Sequence, residues 1–174
     1  TDAHPASIPN LAKTAINAGY TVIVFDAPPS QIAASAIAAA NRLVLVARAS
    51  QEGAYRTAVA YQTITEQLEG IYRVDPANVR VTLNRLQRGH GLAPDVWHSR
   101  VSAMTSGFPP VTASIPDLPQ VLDLQDKRVL PVQQDDEYRE SITPLANSLF
   151  GNQRGENGKT YIEERKIFGI KVRW

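Results

Sequence analysis

Residues 20–40 read YTVIVFDAPPSQIAASAIAAA and carry the clearest structural signal in this chain. The β-branched run Thr21–Phe25 leads to a carboxylate at Asp26, two prolines follow, and an alanine-rich segment comes next. A continuous apolar run of this kind is typical of a strand that is covered on both faces, as in a parallel sheet. We therefore predict an interior strand over 21–25 that ends at Asp26, followed by a short helix over 32–40.

Strand and helix patterns alternate along the rest of the chain. Further strands are predicted at 43–47 (LVLVA), 78–83 (NVRVTL) and 111–115, and further helices at 7–18, 53–68, 95–102, 118–125 and 135–150. Pro144 either bends the last helix or marks its true start. Since alternating elements form right-handed βαβ units, we expect an α/β fold with a mostly parallel, doubly wound sheet and helices on both faces.

In such a sheet, ligands bind beyond the carboxyl ends of the strands. Asp26, the segment 50–53 and Asn84 each follow a predicted strand there. Asp26 can hold a metal-bound or nucleophilic water, or it can cap the next helix. Asn84 either contacts a ligand or simply ends its strand as a turn residue. The segment 50–53 has the composition of an ordinary helix start, with a phosphate or partner role as the alternative.

Size and composition set limits on the function. A chain of 174 residues is expected to form one domain, and its formal net charge of +1 requires no polyanionic partner. The absence of cysteine fits a reducing compartment and excludes disulfides and thiolate metal sites. No apolar run approaches the length of a membrane span, so we expect a cytoplasmic protein without membrane insertion. Because the first residue is Thr1, we expect a processed, truncated or incomplete N-terminus.

Four segments in order resemble the ParA/MinD family of deviant-Walker P-loop ATPases. VIVFDAPPS (22–30) resembles the family's strand that ends in Asp-x-Pro-Pro, and RLVLVARASQEG (42–53) is similar to its next strand and loop. VRVTLNRL (79–86) resembles the strand that ends in Asn-Arg, and the segment 108–151 is similar to the closing region of the family. The resemblance covers about residues 7 to 150.

The resemblance implies ATP and Mg²⁺ as cofactors of the intact protein and gives roles to particular residues. Asp26 would hold the Mg²⁺ through a water and orient the attacking water. Asn84 and Arg85 would border the adenine pocket, and Pro131 and Val132 would line it.

One departure from the family concerns its glycine-rich phosphate loop. Nothing between Thr1 and Tyr20 supplies that loop, and Gly158-Lys159-Thr160 in the tail has Gln153 where the first glycine is required. The expected fold is therefore that of a P-loop NTPase that lacks the N-terminal strand and the phosphate loop. Residues 1–150 would form this partial ATPase domain. Residues 151–174 would form a flexible linker and a tail, in which KIFGIKVRW could add a strand to the sheet edge or bind a partner.

The function implied by the resemblance is an ATP-dependent dimerisation switch for plasmid or chromosome partition or conjugative transfer. A homodimer, nonspecific DNA and an adaptor protein would be its partners, with the alanine-rich helix facing the second subunit. Arg80, Arg88 and Arg100, together with Arg85, are the candidate DNA contacts, or else they pair with nearby acids on the surface. The alternatives are a non-hydrolysing interaction domain of the same fold and an unrelated doubly wound domain.

Overall fold

The computed structural model describes residues 7–27, 31–87, 89–151, 165–167 and 170–172. Its helices are α1 (Ser7–Asn17), α2 (Gln31–Ala39), α3 (Gln51–Gln62), α4 (Pro94–Met104), α5 (Pro119–Asp126), α6 (Pro131–Gln134) and α7 (Asp136–Phe150). Its strands are β1 (Leu43–Ala47), β2 (Val79–Leu86), β3 (Val111–Pro116), β4 (Arg165–Ile167) and β5 (Ile170–Val172). A π-helical turn, Thr63–Gln67, extends α3, and two 3-10 turns, Gly70–Tyr72 and Pro76–Asn78, lead into β2.

Strands β1, β2 and β3 form an open sheet in that order, with both pairs parallel. The parallel α/β class predicted from the alternating pattern is therefore confirmed. Leu43 of β1 is aligned with Val79 of β2, and the pairing continues without a shift to Ala47 and Leu83. The pairing of β2 with β3 has two register shifts, the second of which lies at the carboxyl end.

The hydrophobic core lies between one face of this sheet and helices α3 and α4. Val79, Val81 and Leu83 alternate along β2, and all three are fully buried in this core. Trp97 of α4 is also fully buried, with its ring centroid 6.0 Å from that of Phe108. The hydroxyl of Tyr61 donates to the Gly107 carbonyl at 2.7 Å, and its ring meets Phe108 edge-on at 5.0 Å.

The opposite face of the sheet is covered unevenly. Helix α7 packs against β3 and to a lesser extent against β2, and Thr82 and Ala113 are buried there. Val46 of β1 is aligned with Thr82, yet it is 64% exposed. Within the described residues, no strand pairs with the outer edge of β1. Strand β1 therefore has a free edge and a partly uncovered apolar face.

The strand predicted over 21–25 is wrong. The segment is extended but joins no ladder among the described residues, and Val22 and Val24 are 48% and 83% exposed. β-branched residues fit a strand well, but a strand also needs a neighbour for its N–H and C=O groups. Among the described residues no strand lies beside 21–25, so this segment of high β propensity stays outside the sheet.

Other differences are smaller. Strand β2 continues past Asn84 to Leu86, α7 runs through Pro144 without ending, and the short helix α6 was not predicted. In the tail, β4 and β5 pair antiparallel with each other and not with the main sheet. The remainder of the predicted linker and tail, 152–164 and the residues between and after these strands, lies outside the described residues.

Candidate functional site at the carboxyl edge

The carboxyl ends of the three parallel strands meet at one edge of the sheet, the usual place for a ligand in an open α/β sheet. Three loops leave this edge, after Ala47, Leu86 and Pro116. We call these loops, residues 48–50, 87–93 and 117–118, the carboxyl edge. Arg88, one of the candidate DNA contacts, falls in the second loop and lies outside the described residues.

In the first loop, Ser50 is the N-cap of α3. Its backbone is extended, with φ −130° and ψ 165°, and its Oγ accepts a hydrogen bond from the Gly53 N–H at 3.0 Å. Gly53 has no room for a side chain, because an added Cβ would lie 2.2 Å from the Arg48 carbonyl oxygen. Glu52 pairs with Arg56 on the surface at 2.7 Å. The segment 50–53 is therefore the start of a helix, which is one of the two interpretations given from the sequence.

Asn84 and Arg85 form a bulge near the end of the central strand. Between Leu83 and Leu86, β2 advances by three residues while β3 advances by two. Arg85 adopts a left-handed φ of 55°, and its N–H donates to Asn84 Oδ1 at 2.9 Å. Such backbone geometry is unfavourable for a residue with a Cβ and is often found at functional sites. Asn84 was correctly predicted to lie at the carboxyl ends of the strands, but it lies inside a strand and not after it.

The first and second loops are joined by a backbone contact. The Leu92 N–H donates to the Ala49 carbonyl oxygen at 2.8 Å. Gly91 makes this approach possible, since its φ is 84° and an added Cβ would lie 2.5 Å from the same oxygen. Neither residue was singled out from the sequence. The two glycines in RGHGL (88–92) are the signal that could have indicated a backbone with positive φ there.

The second and third loops are joined in the same way. The Asp117 N–H donates to the Leu86 carbonyl at 3.0 Å, and Gln87 Nε2 donates to Asp117 Oδ2 at 3.1 Å. The three loops are therefore connected by hydrogen bonds across the whole carboxyl edge. The Asn84–Arg85 bulge lies in β2, close before the second of these loops. A ligand at the bulge would meet a surface that is already organised.

Asp26 has a different environment from the one expected. It is exposed and follows a segment that lies outside the sheet, so the structure does not hold it at the end of an interior strand. The prolines after it, 28 and 29, lie outside the described residues. The alanine-rich helix α2 packs against α1 and against the turn Gly70–Tyr72. Asp26 and Asn84 are therefore not joined by any strand pairing among the described residues.

Pro131 and Val132 begin the short helix α6, and both are half-buried. Helix α6 packs chiefly against α5 and α7. Its far end is fixed by Asp135, whose Oδ1 accepts from the Tyr138 N–H at 2.8 Å. The other oxygen of Asp135 accepts from Gln120 Nε2, also at 2.8 Å. This carboxylate ties α5 to the start of α7 and so positions the segment that carries Pro131 and Val132.

We expect the contribution of Asp135 to the free energy of unfolding to disappear in acid. The hydrogen bond from the Tyr138 N–H, with that from Gln120, lowers the pKa of Asp135 below its usual 3.8. Its contribution is then complete above the unfolded pKa and is lost as the pH falls through the lower folded value. In urea titrations, Asp135→Asn should be less stable than wild type at neutral pH and equal to it at the acid limit.

Asp123→Asn on α5 is the matched control for this series, since Asp123 is exposed. Its difference from wild type should stay small at every pH. A constant difference between Asp135→Asn and wild type across the acid range would contradict the role given to the carboxylate.

Two of the candidate DNA-binding arginines, Arg80 and Arg85, lie near opposite ends of β2. Arg80 lies near the amino end of β2, where its Nη1 donates to the carbonyls of Ala77 and Val79 at 2.8 and 2.9 Å. Arg85 lies near the other end, roughly 17 Å away at the rise per residue of a parallel strand. Arg100 is exposed on α4. The guanidinium of Arg80 is thus held by backbone oxygens and not by the nearby acids that were its alternative partners.

Metal-ligand clusters and membrane-spanning helices are both missing from the part of the chain that the structure describes. In that part of the chain, no group of three or more His, Asp or Glu side chains is placed to hold a metal ion. Of the helices in the same residues, none has both the length and the apolar character that crossing a lipid bilayer requires. Comparisons of the whole chain with protein-family models, with curated proteins and with solved structures gave no match.

Proposed function

We propose that this chain is part of a ParA/MinD-like, ATP-dependent dimerisation switch that acts in the cytoplasm in plasmid or chromosome partition or in conjugative transfer. The observation that carries the proposal is the Asn84–Arg85 bulge. It lies near the carboxyl end of the central strand, in the segment whose sequence resembles the family's border of the adenine pocket. A homodimer, nonspecific DNA and an adaptor protein are the partners that the proposal implies.

The described residues fit the base of a nucleotide better than its phosphates. Asn84 gives its Oδ1 to the Arg85 N–H, while its amide N–H groups have no partner among the described residues. A primary amide of this kind can donate to a ring nitrogen of adenine.

At the carboxyl edge, the described residues contain no group that is placed to bind the phosphates of a nucleotide. Asp26 follows a segment outside the sheet, and neither a phosphate loop nor a metal-binding group is found in the described ranges. Gly158-Lys159-Thr160 lies outside them. We therefore assign no hydrolytic step to Asp26 or to any other described residue.

The second candidate is a non-hydrolysing interaction domain of the same fold. The position of the segment 21–25 favours it, because an acid outside the sheet has no reason to face a terminal phosphate. This domain would keep the sheet and the surface of α2 and would bind a protein partner without nucleotide.

Titration with a fluorescent ATP analogue, with and without Mg²⁺, separates the two candidates. For the switch we expect saturable binding that depends on Mg²⁺. We expect Asn84→Ala to weaken binding by about threefold to tenfold, as the loss of a neutral hydrogen bond does. Asn147→Ala, an exposed amide on α7, is the matched control and should bind as wild type does. Absence of saturable binding by the folded protein would leave the interaction domain.

A further inference from the structure

A cavity of about 100 Å³ lies at the amino ends of β1 and β2, at the opposite end of the strands from the carboxyl edge. Arg42, Arg73, Asp75 and Asn78 give it a polar wall, while Ile37 and its apolar neighbours cover another side. A second, more open cavity adjoins it and shares Arg73 and Asp75. The charged groups in the wall of the first cavity are thus two guanidinium groups and one carboxylate.

Both guanidinium groups are held in place by the protein. Arg42 Nη1 donates to Asn78 Oδ1 at 2.6 Å and to the carbonyl of Asn41 at 2.9 Å. Arg73 Nε donates at 2.9 Å to the carbonyl of Thr65, a buried residue. Among the described residues, Nη2 of Arg42 and both Nη atoms of Arg73 have no acceptor. The wall therefore presents several oriented N–H donors without partners.

The carboxylate of Asp75 is not neutralised by these arginines. Its Oδ1 accepts from the Ala77 N–H at 2.9 Å, and within the described chain its other oxygen has no donor. No ion pair between Asp75 and either arginine is formed in that part of the chain. The cavity therefore offers the N–H donors of two arginines to an anion. It also contains the Asp75 carboxylate, which accepts a hydrogen bond from a protonated oxygen and repels an unprotonated one.

We propose that this cavity binds a small, singly protonated phosphate group, as inorganic phosphate or as a phosphomonoester. Arg42 and Arg73 donate to its unprotonated oxygens, and its P–OH donates to Asp75. Guanidinium forks match the geometry of phosphate oxygens, and a phosphate monoester retains a proton in part near neutral pH. Sulfate and the phosphodiesters of DNA carry no such proton, so Asp75 selects against both.

Isothermal titration of the protein with inorganic phosphate at neutral pH tests this site. We expect one binding site in the wild type and a loss of affinity of at least about tenfold in Arg73→Gln, since a hydrogen bond to a charged group is removed. Arg56→Gln is the matched control, because Arg56 lies on the exposed surface of α3. Arg73→Lys keeps the charge and replaces Arg73→Gln if circular dichroism shows that the glutamine variant does not fold.

Titrations with sulfate, with a phosphomonoester and with duplex DNA complete the test. Sulfate should not bind the wild type but should bind Asp75→Asn, in which the repelling oxygen is neutral. A phosphomonoester that binds more tightly than inorganic phosphate identifies the physiological source. Equal binding of phosphate and sulfate by the wild type, equal phosphate affinity of all arginine variants, or no binding by the folded wild type would overturn the proposal. No arm needs ATP, so the outcome is independent of the proposed switch.

Discussion

Replacement of Trp97 by alanine is expected to lower the free energy of unfolding by about 3–5 kcal/mol. Trp97 is fully buried, and its ring joins α4 to Phe108 and to the buried face of β2. Truncation leaves a cavity that the surrounding strand and helices cannot close. Urea titration followed by circular dichroism measures the effect.

Two further variants make the Trp97 experiment specific. Val96→Ala changes an adjacent side chain that is 42% exposed and should stay within about 0.5 kcal/mol of the wild type. Trp97→Phe should be milder than Trp97→Ala, because the ring is kept and the indole N–H has no acceptor among the described residues. If Trp97→Ala were as mild as Val96→Ala, the packing of α4 on the sheet would be refuted.

Gly91→Ala is expected to destabilise the protein by about 1–3 kcal/mol more than Gly89→Ala, the range typical of forced overpacking. Both glycines have positive φ, 84° and 75°, so both variants carry the strain of a left-handed alanine. Only at Gly91 does the new Cβ meet backbone, 2.5 Å from the Ala49 oxygen, while nothing lies within 4 Å at Gly89. The pair therefore isolates the steric contact from the backbone strain.

Amide hydrogen exchange at Leu92 reports locally on the effect of Gly91→Ala. The amide of Leu92 donates to the Ala49 oxygen, so its exchange should accelerate in Gly91→Ala and remain slow in Gly89→Ala. Equal stability of the two variants together with equal exchange at Leu92 would show that the first and second loops are not held together as described.

The strands inside the sheet could be predicted from sequence because their signals are local. LVLVA at 43–47 was predicted with the bounds that the structure gives, and 111–115 was predicted to within one residue. The segment 21–25 has the same β-branched composition, yet it joins no sheet among the described residues. Strand pairing depends on a neighbouring strand that is often distant in sequence, and composition alone does not report whether that neighbour is present.

The candidate site was predicted only in outline. The position of Asn84 at the carboxyl ends of the strands followed from the parallel order, which is a property of the alternating pattern. The left-handed backbone of Arg85 could not be read from the sequence, because it arises from a mismatch in the pairing of β2 with β3. The links from Leu92 to Ala49 and from Gln87 to Asp117 join residues far apart in the chain, so no local pattern indicates them.

The free edge of β1 bears on how the protein behaves in concentrated solution. Leu43–Ala47 carries no lysine, proline or bulge of the kind that discourages intermolecular strand addition. Two molecules that meet along this edge can join their sheets, and each junction buries aliphatic surface that water otherwise covers. Self-association along β1 is thus one form of aggregation that is open to this fold.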